Sequence, residues 1–599
     1  MMNRIVKISL ITSLAMLLLL GGAVFLLFKE GKQATEDARE NEKQELDMLY
    51  EGSQKVDLGK EGDRIPLSTK GKNANVKTFT YRNVSAIYNV SNSRKAAEQI
   101  DIWKKKGKYS IESPLWVWNP YGTNNLSMYL YFPTQEMSSL RYTISVEDET
   151  IPDFTRRLNT NNSTGRTTKQ EYLLTGFLPG RTNYIVLERF NASGERTGRQ
   201  VFVLDVPALS SGAEVRMEAI QGKSRQMMSN GLFCLCGVED KTGNMLPYIW
   251  LYDNSGILRG EIPIKNYRTD RISIFGDEMV YSYGKRNFAR ISRMGQVLSV
   301  YNLGIYEQHH DFIYNGYGSL WILATDSSKK NHASGDVVVS LNLNSGDVIK
   351  LLDFEKILKQ RFRAALRKAE KKNAEVGNWI SLNSIQQLGS TDILVSSDKF
   401  STIMKVSDAT SAVPKLSYLI ADSDLWELEK PQKKLFSMIG SESEANSGGQ
   451  NTNQNTGDKA QKADTEVFLP QYGQNYLGCE EIPNQDSQGD GTQADREYYL
   501  SMFNNNYTDG KDADNSYYYR YLVKEADRTY ELKDKFKVPY SRKNGSLQRY
   551  KGQFVCAVSE DAEYLEYDKS GLMIYQYALK NKKRVYRVQK EDFKGFWFW

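Results

Sequence analysis

Histidine is nearly missing from this 599-residue chain: His309, His310 and His332 are the whole supply, so any imidazole chemistry is confined to three positions. Cysteine is almost as scarce. Cys234, Cys236, Cys479 and Cys556 form no C-x-x-C pair, which argues against a Cys/His zinc cluster and against a disulfide-built scaffold. No long Lys/Arg run tracks the chain, and the net charge of +6 is small for its length, so nucleic acid is not an expected partner. Only 14 prolines occur, against 44 glycines and 37 tyrosines. That balance favours half-buried pleated strands joined by tight turns. With 40% hydrophobic and 25% charged residues, the composition is that of a folded protein with room for at least two domains.

One long apolar run is present. Ile8 to Phe28 carries no charge, and at 1.5 Å per helical residue its ~21 residues match a hydrocarbon layer of roughly 30 Å. Arg4 and Lys7 precede it and the acid-rich EDARENEKQELD follows, an asymmetry that places the short N-terminus inside and the large body outside. Residues 1–30 are therefore read as a single-pass anchor in the cell membrane, with the main body extracytoplasmic. A cleaved signal peptide is the alternative, although no A-x-A site follows the run. Residues 31–75 are polar, lack a sustained apolar period and read as a stalk.

Alternating strands begin after the stalk. VKTFTYR, PLWVWNP, LSMYLYF, RYTISVE, EYLLTGFLPGRTNYIVLERF and RQVFVLDV assign residues 76–210 to a small β-sandwich, with Pro179-Gly180 turning the chain inside it. Residues 211–599 repeat a strand, loop, strand, turn, strand unit. Turn signals at YDNSGILRGEI, ISRMGQVLSV, LNLNSGDVIKL, MKVSDATSAVPKLSYLI, LVKEADRTYELKD and YALKNKKRVYRV mark the hairpins. Six units result, at about 222–263, 268–303, 310–352, 383–420, 475–538 and 546–590. Six such units around an axis make a six-bladed β-propeller, which buries apolar faces between blades and leaves few sheet edges. The fold class is thus mainly β: an N-terminal transmembrane helix, a β-sandwich, then the propeller. Residues 353–372 read as a basic surface helix with Leu358, Phe362 and Ala365 on one side. Low-complexity insertions lie near 441–465 and 484–496.

Inner strands of a propeller begin near a central funnel, so residues distant in sequence converge there. His309, His310 and Asp311 precede one such strand. On an extended backbone adjacent side chains point in opposite directions, so one histidine is expected in the funnel and the other below it, with Asp311 fixing a tautomer or capping a turn. Cys234 and Cys236 share one face of an apolar strand and read as core. Cys479 follows Asn475 closely, but no local His or Lys supports it as a nucleophile.

HHDF followed by NGYGSLWILA, then NWISLNSI before ILVSSDKFSTIMKV, then YGQNYL and YYLSMFNNNY, resembles the bacterial arylsulfate sulfotransferase family over about residues 76–595. The resemblance implies a β-sandwich leading into a six-bladed propeller and ping-pong transfer of a sulfuryl group between phenols. In that scheme a histidine is transiently sulfated, while other histidines and an arginine stabilise the sulfuryl oxygens and move the phenolic proton.

Three implied positions are altered here. Where the family pattern D-W-x-H-x-N-S has its histidine, this chain has Ser381; the arginine of S-S-R is Asp398; the nucleophilic histidine of G-Q-H is Asn475. An amide nitrogen with a delocalised lone pair is not a useful nucleophile, and Asp398 repels a sulfate ester. No catalytic residue is therefore assigned. His309, His310, Ser381, Asn383, Asp398 and Asn475 are the candidate funnel residues, suited to hydrogen-bonding a small polar, carbohydrate or phenolic ligand, with a cell-surface protein as a further partner. The reading calls for no cofactor and no metal. It expects a funnel with no other His/Arg arrangement around a sulfate-sized cavity and a catalytically inactive, ligand-binding or scaffold role. Sulfuryl transfer by a rearranged site is the alternative.

Overall fold

The computed structural model describes residues 76–599 except 266, 330–335, 375, 378, 422–425, 427–432, 440–473, 483–495, 507–513, 543, 560–562 and 581–582; of residues 54–56, 65–66 and 474–476 it describes the backbone alone. The expected membrane anchor, most of the stalk, the core of both low-complexity insertions and His332 lie outside these residues. Among the described residues no helix is long and apolar enough to cross a membrane.

The N-terminal sandwich turns on one long strand, Ser127–Ser145. Its first part pairs with Leu115–Trp118 and Thr167–Thr175, and its second with Phe154–Arg157 and Arg181–Phe190. The pairing register breaks between Pro133 and Ser138, where proline offers no N–H to the ladder. One strand thus serves both halves. The segment from Thr175 to Arg181, which holds Pro179-Gly180, joins two strands that pair with this long strand rather than with each other.

Reading residues 76 to 206 as strands alone missed the helices Val84–Ile87 and Val90–Lys106. Asn83 and Asn89 cap them through their side chains, a signal present in the sequence. The longer helix buries Ala96, Ile100 and Trp103 and packs on the strand Val297–Asn302, where the Ser93 hydroxyl accepts from the Val297 N–H at 2.9 Å. Sandwich and propeller share one hydrophobic core, which runs from Val76 through Trp250 to Phe598.

Six antiparallel sheets follow, as the repeat implied, and form a six-bladed β-propeller. The first is Leu232–Glu239, Tyr248–Tyr252 and Leu258–Pro263, completed on its inner edge by the chain's last strand, Arg584–Glu591. Blades two to four are continuous: Ile272–Phe275 to Val297–Asn302, Tyr306–Tyr314 to Val348–Asp353, and Leu382–Leu388 to Lys415–Ile420. Blade five runs from Gln474–Glu481 to Thr529–Pro539, with Ser437–Ile439 added in parallel at its outer edge. Blade six runs from Ser546–Tyr550 to Met573–Ala578 and gains Glu218–Gln221 outside.

The final unit therefore needs correcting. YALKNKKRVYRV is not a hairpin: its second half crosses to blade one, pairing Val588 with Leu235. The ring is closed twice, by the C-terminal strand inside blade one and by Glu218–Gln221 outside blade six, which ties both ends of the propeller segment into neighbouring blades. The basic insertion forms helices Phe354–Ile357 and Lys359–Lys371; Leu358 is buried and Phe362 and Ala365 lean on the same cluster, as the sequence pattern implied.

Candidate functional site: an imidazole–guanidinium cluster at the funnel

Neighbouring inner strands are too splayed for a regular ladder, and side chains complete the contacts. The Gln589 amide donates to the Ile272 carbonyl at 2.8 Å and accepts from its N–H at 3.0 Å; Gln548 does the same with Lys590 at 3.1 and 2.7 Å. Gln386 donates to the Leu477 carbonyl at 2.6 Å. The Ser384 hydroxyl accepts from the Leu477 N–H at 2.9 Å and donates to Asp311 at 3.2 Å.

Asp311 is the hub of this ring. Its fully buried carboxylate takes a hydrogen bond from Arg587 of blade one at 2.7 Å, an ion pair with Arg271 of blade two at 3.2 Å and the Ile385 N–H of blade four at 3.2 Å. It neither fixes a histidine tautomer nor caps a turn; it joins four blades.

The strand Tyr306–Tyr314 loses register between Gln308 and Phe312, so His309, His310 and Asp311 sit in a bulge. His310 has φ +60°, a left-handed conformation uncommon for a residue with a Cβ. Because of the bulge, the two imidazoles do not diverge as an extended backbone would require. They turn together, with Nδ1 of His309 and Nδ1 of His310 2.8 Å apart. A bond between two Nδ1 atoms needs one donor and one acceptor, so neutral rings hold complementary tautomers: one Nε2 keeps its lone pair and the other carries a proton. Burial and Arg268 push His309 down to about 3; burial, Arg268, His309 and Arg587 hold His310 well below the usual imidazole range. Both rings are neutral at physiological pH.

Arg268 lies at the head of blade two, 3.8 Å over the Tyr586 ring, with its Nε donating to Asp270 at 2.9 Å. Tyr586 donates to the His310 carbonyl at 3.0 Å, and Tyr267 to the Gln308 carbonyl at 2.7 Å. Beside them opens a cleft of about 530 Å³, lined by His309, Tyr267, Lys285, Arg286 and Glu307. This volume falls within the usual range for small-molecule sites. Glu307 pairs with both cations, at 2.5 Å to Lys285 and 2.7 Å to Arg286. Basic groups thus stand closer to the histidines than the sequence reading expected, although the two cations that line the cleft are both paired to Glu307. Arg268 acts electrostatically on both histidines, Arg587 on His310, and His309 borders the cleft.

The remaining candidates cluster on blades four and five. Ser381, with φ +53°, is buried just before the strand Leu382–Leu388, and its carbonyl accepts from the Asp398 N–H at 3.2 Å. Burial raises the Asp398 carboxyl to about 6 against the opposing pull of Ser381 and Lys399. Asn383 is buried and accepts from the Ser396 hydroxyl at 2.5 Å. Asn475 sits opposite Phe503 near the head of blade five, two residues before Leu477, which binds Ser384. Asp311 and Ser384 share one level of the ring. His310, Ser381, Asn383 and Asn475 all precede that level on their own strands, at the same end of the funnel. Cys479 has its thiol pushed up to about 12 by burial and is no nucleophile. Cys234 and Cys236 are buried core residues.

Sequence reading missed Arg268, Arg271, Tyr586 and Arg587. YRTDR stands directly before the inner strand of blade two, the place HHDF takes in blade three. RVYRV was hidden by its assignment to the wrong blade.

A closed six-bladed propeller behind a β-sandwich, with imidazoles and guanidinium groups at one mouth, is the architecture of a funnel-site protein. The arylsulfotransferase (ASST) family model matches residues 217–593, and the model of the arylsulfotransferase Ig-like domain matches residues 115–207. The chain belongs to the arylsulfotransferase family. No curated protein matches it. Among solved structures, it is similar to BamB from Moraxella catarrhalis (9% identity, 67% of this chain and 80% of that one, TM-score 0.22). A periplasmic gluconolactonase of Pseudomonas aeruginosa gives 10% identity over 75% and 99%, TM-score 0.28. An auxiliary nutrient binding protein from Bacteroides thetaiotaomicron gives 9% over 76% and 94%, TM-score 0.25. At these scores the likenesses carry no argument.

Proposed function

We propose that this chain is a membrane-tethered, extracytoplasmic binding protein whose funnel takes an anionic phenolic ester at His310 and Arg268 and does not turn it over by the family's route. The observation that carries this reading is the neutral His309–His310 pair held against Arg268 beside the 530 Å³ cleft. Guanidinium and imidazole N–H groups suit sulfate-ester oxygens, and tyrosine surfaces suit an aryl ring. Asn475 stands where the resembled family has its attacking histidine, so the step that would form a sulfated enzyme lacks its nitrogen. A phenolic ester now fits better than a neutral carbohydrate, because cations border the histidines.

A second reading is favoured by the tautomer pairing itself. His309 Nε2 is buried with no hydrogen-bond partner among the described residues. If His309 keeps its proton on that nitrogen, His310 donates from Nδ1 and keeps a bare Nε2. That nitrogen would attack the sulfur, an N–S bond forming as the ester S–O bond breaks and phenolate leaves. A second phenol would then take the sulfuryl group, losing its proton to solvent and freeing His310. Incubating the purified protein with an aryl sulfate and a phenol separates the readings. Saturable binding without phenol release, lost in Arg268→Gln, supports the binding role. Turnover abolished by His310→Gln replaces it with the second.

A further inference from the structure

A second cationic site lies away from the funnel, on the sandwich. Arg141, Arg157 and Arg166 line one cleft of about 270 Å³ together with Ser139, Phe190 and Asn191. The three arginines come from different strands or turns, so their convergence is tertiary rather than a run of basic sequence.

Their charges are poorly balanced. Arg141 pairs with Glu188 at 2.7 Å, but that carboxylate also takes Arg196 at 3.2 Å and Arg199 at 3.8 Å. Among the described residues neither Arg157 nor Arg166 forms an ion pair with a carboxylate. Arg157 lies 5.2 Å over the Trp599 ring, and Arg166 donates one Nη2 hydrogen to the Ala192 carbonyl at 2.8 Å. Arg166 Nε is buried without an acceptor. Gly165 lies between the two: a Cβ there would come within 3.1 Å of Arg157 Nη2 and 3.0 Å of the Trp599 ring, and its φ of +63° suits glycine. A buried guanidinium N–H left unpaired is costly, as are like charges held close without a counter-ion. Both costs fall when an acceptor anion enters.

We propose that this cleft is an anion-binding site for a tetrahedral oxyanion, a sulfate or phosphate group. A carboxylate accepts one guanidinium fork in a plane, whereas a tetrahedral group offers oxygens to forks arriving from several directions, as three convergent arginines require. The cleft is slightly smaller than the usual range for whole ligands, so it holds a group and not a large molecule. The site is independent of the funnel reading.

The full chain in detergent, titrated calorimetrically with inorganic sulfate, inorganic phosphate and acetate at ionic strength fixed with chloride, tests this. Sulfate or phosphate should bind at least tenfold more tightly than acetate. In an Arg268→Gln background, which removes the funnel's own sulfate-binding cation, that binding should persist, and adding the double change Arg157→Gln with Arg166→Gln should weaken it at least tenfold. Undiminished binding on adding the double change, loss already in Arg268→Gln, or acetate binding as well as sulfate overturns the proposal. If Arg166→Gln lowers the melting temperature through its lost bond to Ala192, Arg157→Gln alone decides: its side chain is exposed, and at least threefold weakening is expected against none.

Discussion

Arg587, on the last strand of the chain, donates at 2.7 Å to Asp311 in the third blade, and both side chains are excluded from solvent. Residues 276 positions apart in sequence thus form a contact that depends on ring closure. The neighbouring Tyr586 binds the His310 carbonyl, so the same strand that closes the propeller also fixes the bulge carrying the histidine pair. Closure and site geometry are one structural event.

Breaking this pair should therefore be expensive. Removing one partner leaves a buried charge, although Arg271 at 3.2 Å still offsets part of it. Arg587→Leu is expected to cost about 3 kcal/mol, measured as the shift of the urea unfolding midpoint. Adding Asp311→Leu should cost less than the sum of the two single changes, and a double-mutant cycle reads the coupling. Additive costs would mean that the two residues do not interact.

Asp398 supplies a pH dependence. Its carboxyl is raised to about 6, above the ordinary 3.8, so the folded state favours the protonated form. That contribution is fully present below about pH 4 and lost as pH rises through about 6, amounting to about 2 kcal/mol after allowing for partial exposure. Asp398→Asn should remove that falling component, so that stability at pH 7 relative to pH 4 rises by about 2 kcal/mol over the wild type. If the funnel binds an anionic ester, the same substitution should tighten binding at pH 7, where the wild-type carboxylate repels the ligand. His309, held down to about 3 against an ordinary 6.5, takes up a proton on unfolding throughout this window and slopes stability the opposite way, so His309→Gln should make stability fall more steeply from pH 4 to 6.

The blades were legible because each hairpin is local: alternation and turn residues such as Asn344, Gly346 and Gly295 sit within a few positions of the strands they join. What escaped the sequence was non-local or irregular. RVYRV alternates as well as any blade-six strand, and nothing within it says that its partner is Leu232–Glu239. The histidine pair was found, but its geometry was missed because a bulge cancels the period-2 rule on which the opposite-face expectation rested. The Val90–Lys106 helix carries both apolar spacing and an Asn cap, and was overlooked among strong strand patterns. Arg268 became meaningful only when Tyr586, 318 positions later by numbering, came under its guanidinium.

Closure by the C-terminal strand gives a third expectation. Truncation after Leu579 removes the inner strand of blade one and exposes the long edge of Leu232–Glu239, together with the Ile272 backbone groups that Gln589 satisfies and the Gln548 amide that Lys590 satisfies. The shortened chain should lose its cooperative thermal transition by circular dichroism. Adding the Arg584–Trp599 peptide in excess should restore part of it, since the missing strand binds only the folded ring. A truncated chain that melts as sharply as the full one would show that the outer strand Glu218–Gln221 suffices to hold the ring.

The last expectation concerns the compartment. Ile8 to Phe28 is long enough to cross a bilayer as a helix, and no charge interrupts it to make insertion costly. Arg4 and Lys7 precede it, so orientation by local basic residues would leave that flank in the cytoplasm and carry the residues after Phe28 out. Protease added to intact cells should therefore remove the large body and leave a small membrane-bound fragment retaining the N-terminus. Complete protection in cells with a verified intact membrane would reverse the orientation. Release of an untreated, soluble body beginning after Phe28 would instead identify the run as a cleaved signal, and N-terminal mass analysis of the mature chain distinguishes the two. In either of the outward cases the funnel faces the extracytoplasmic side, where the proposed ligand would be met, and only the tethering differs.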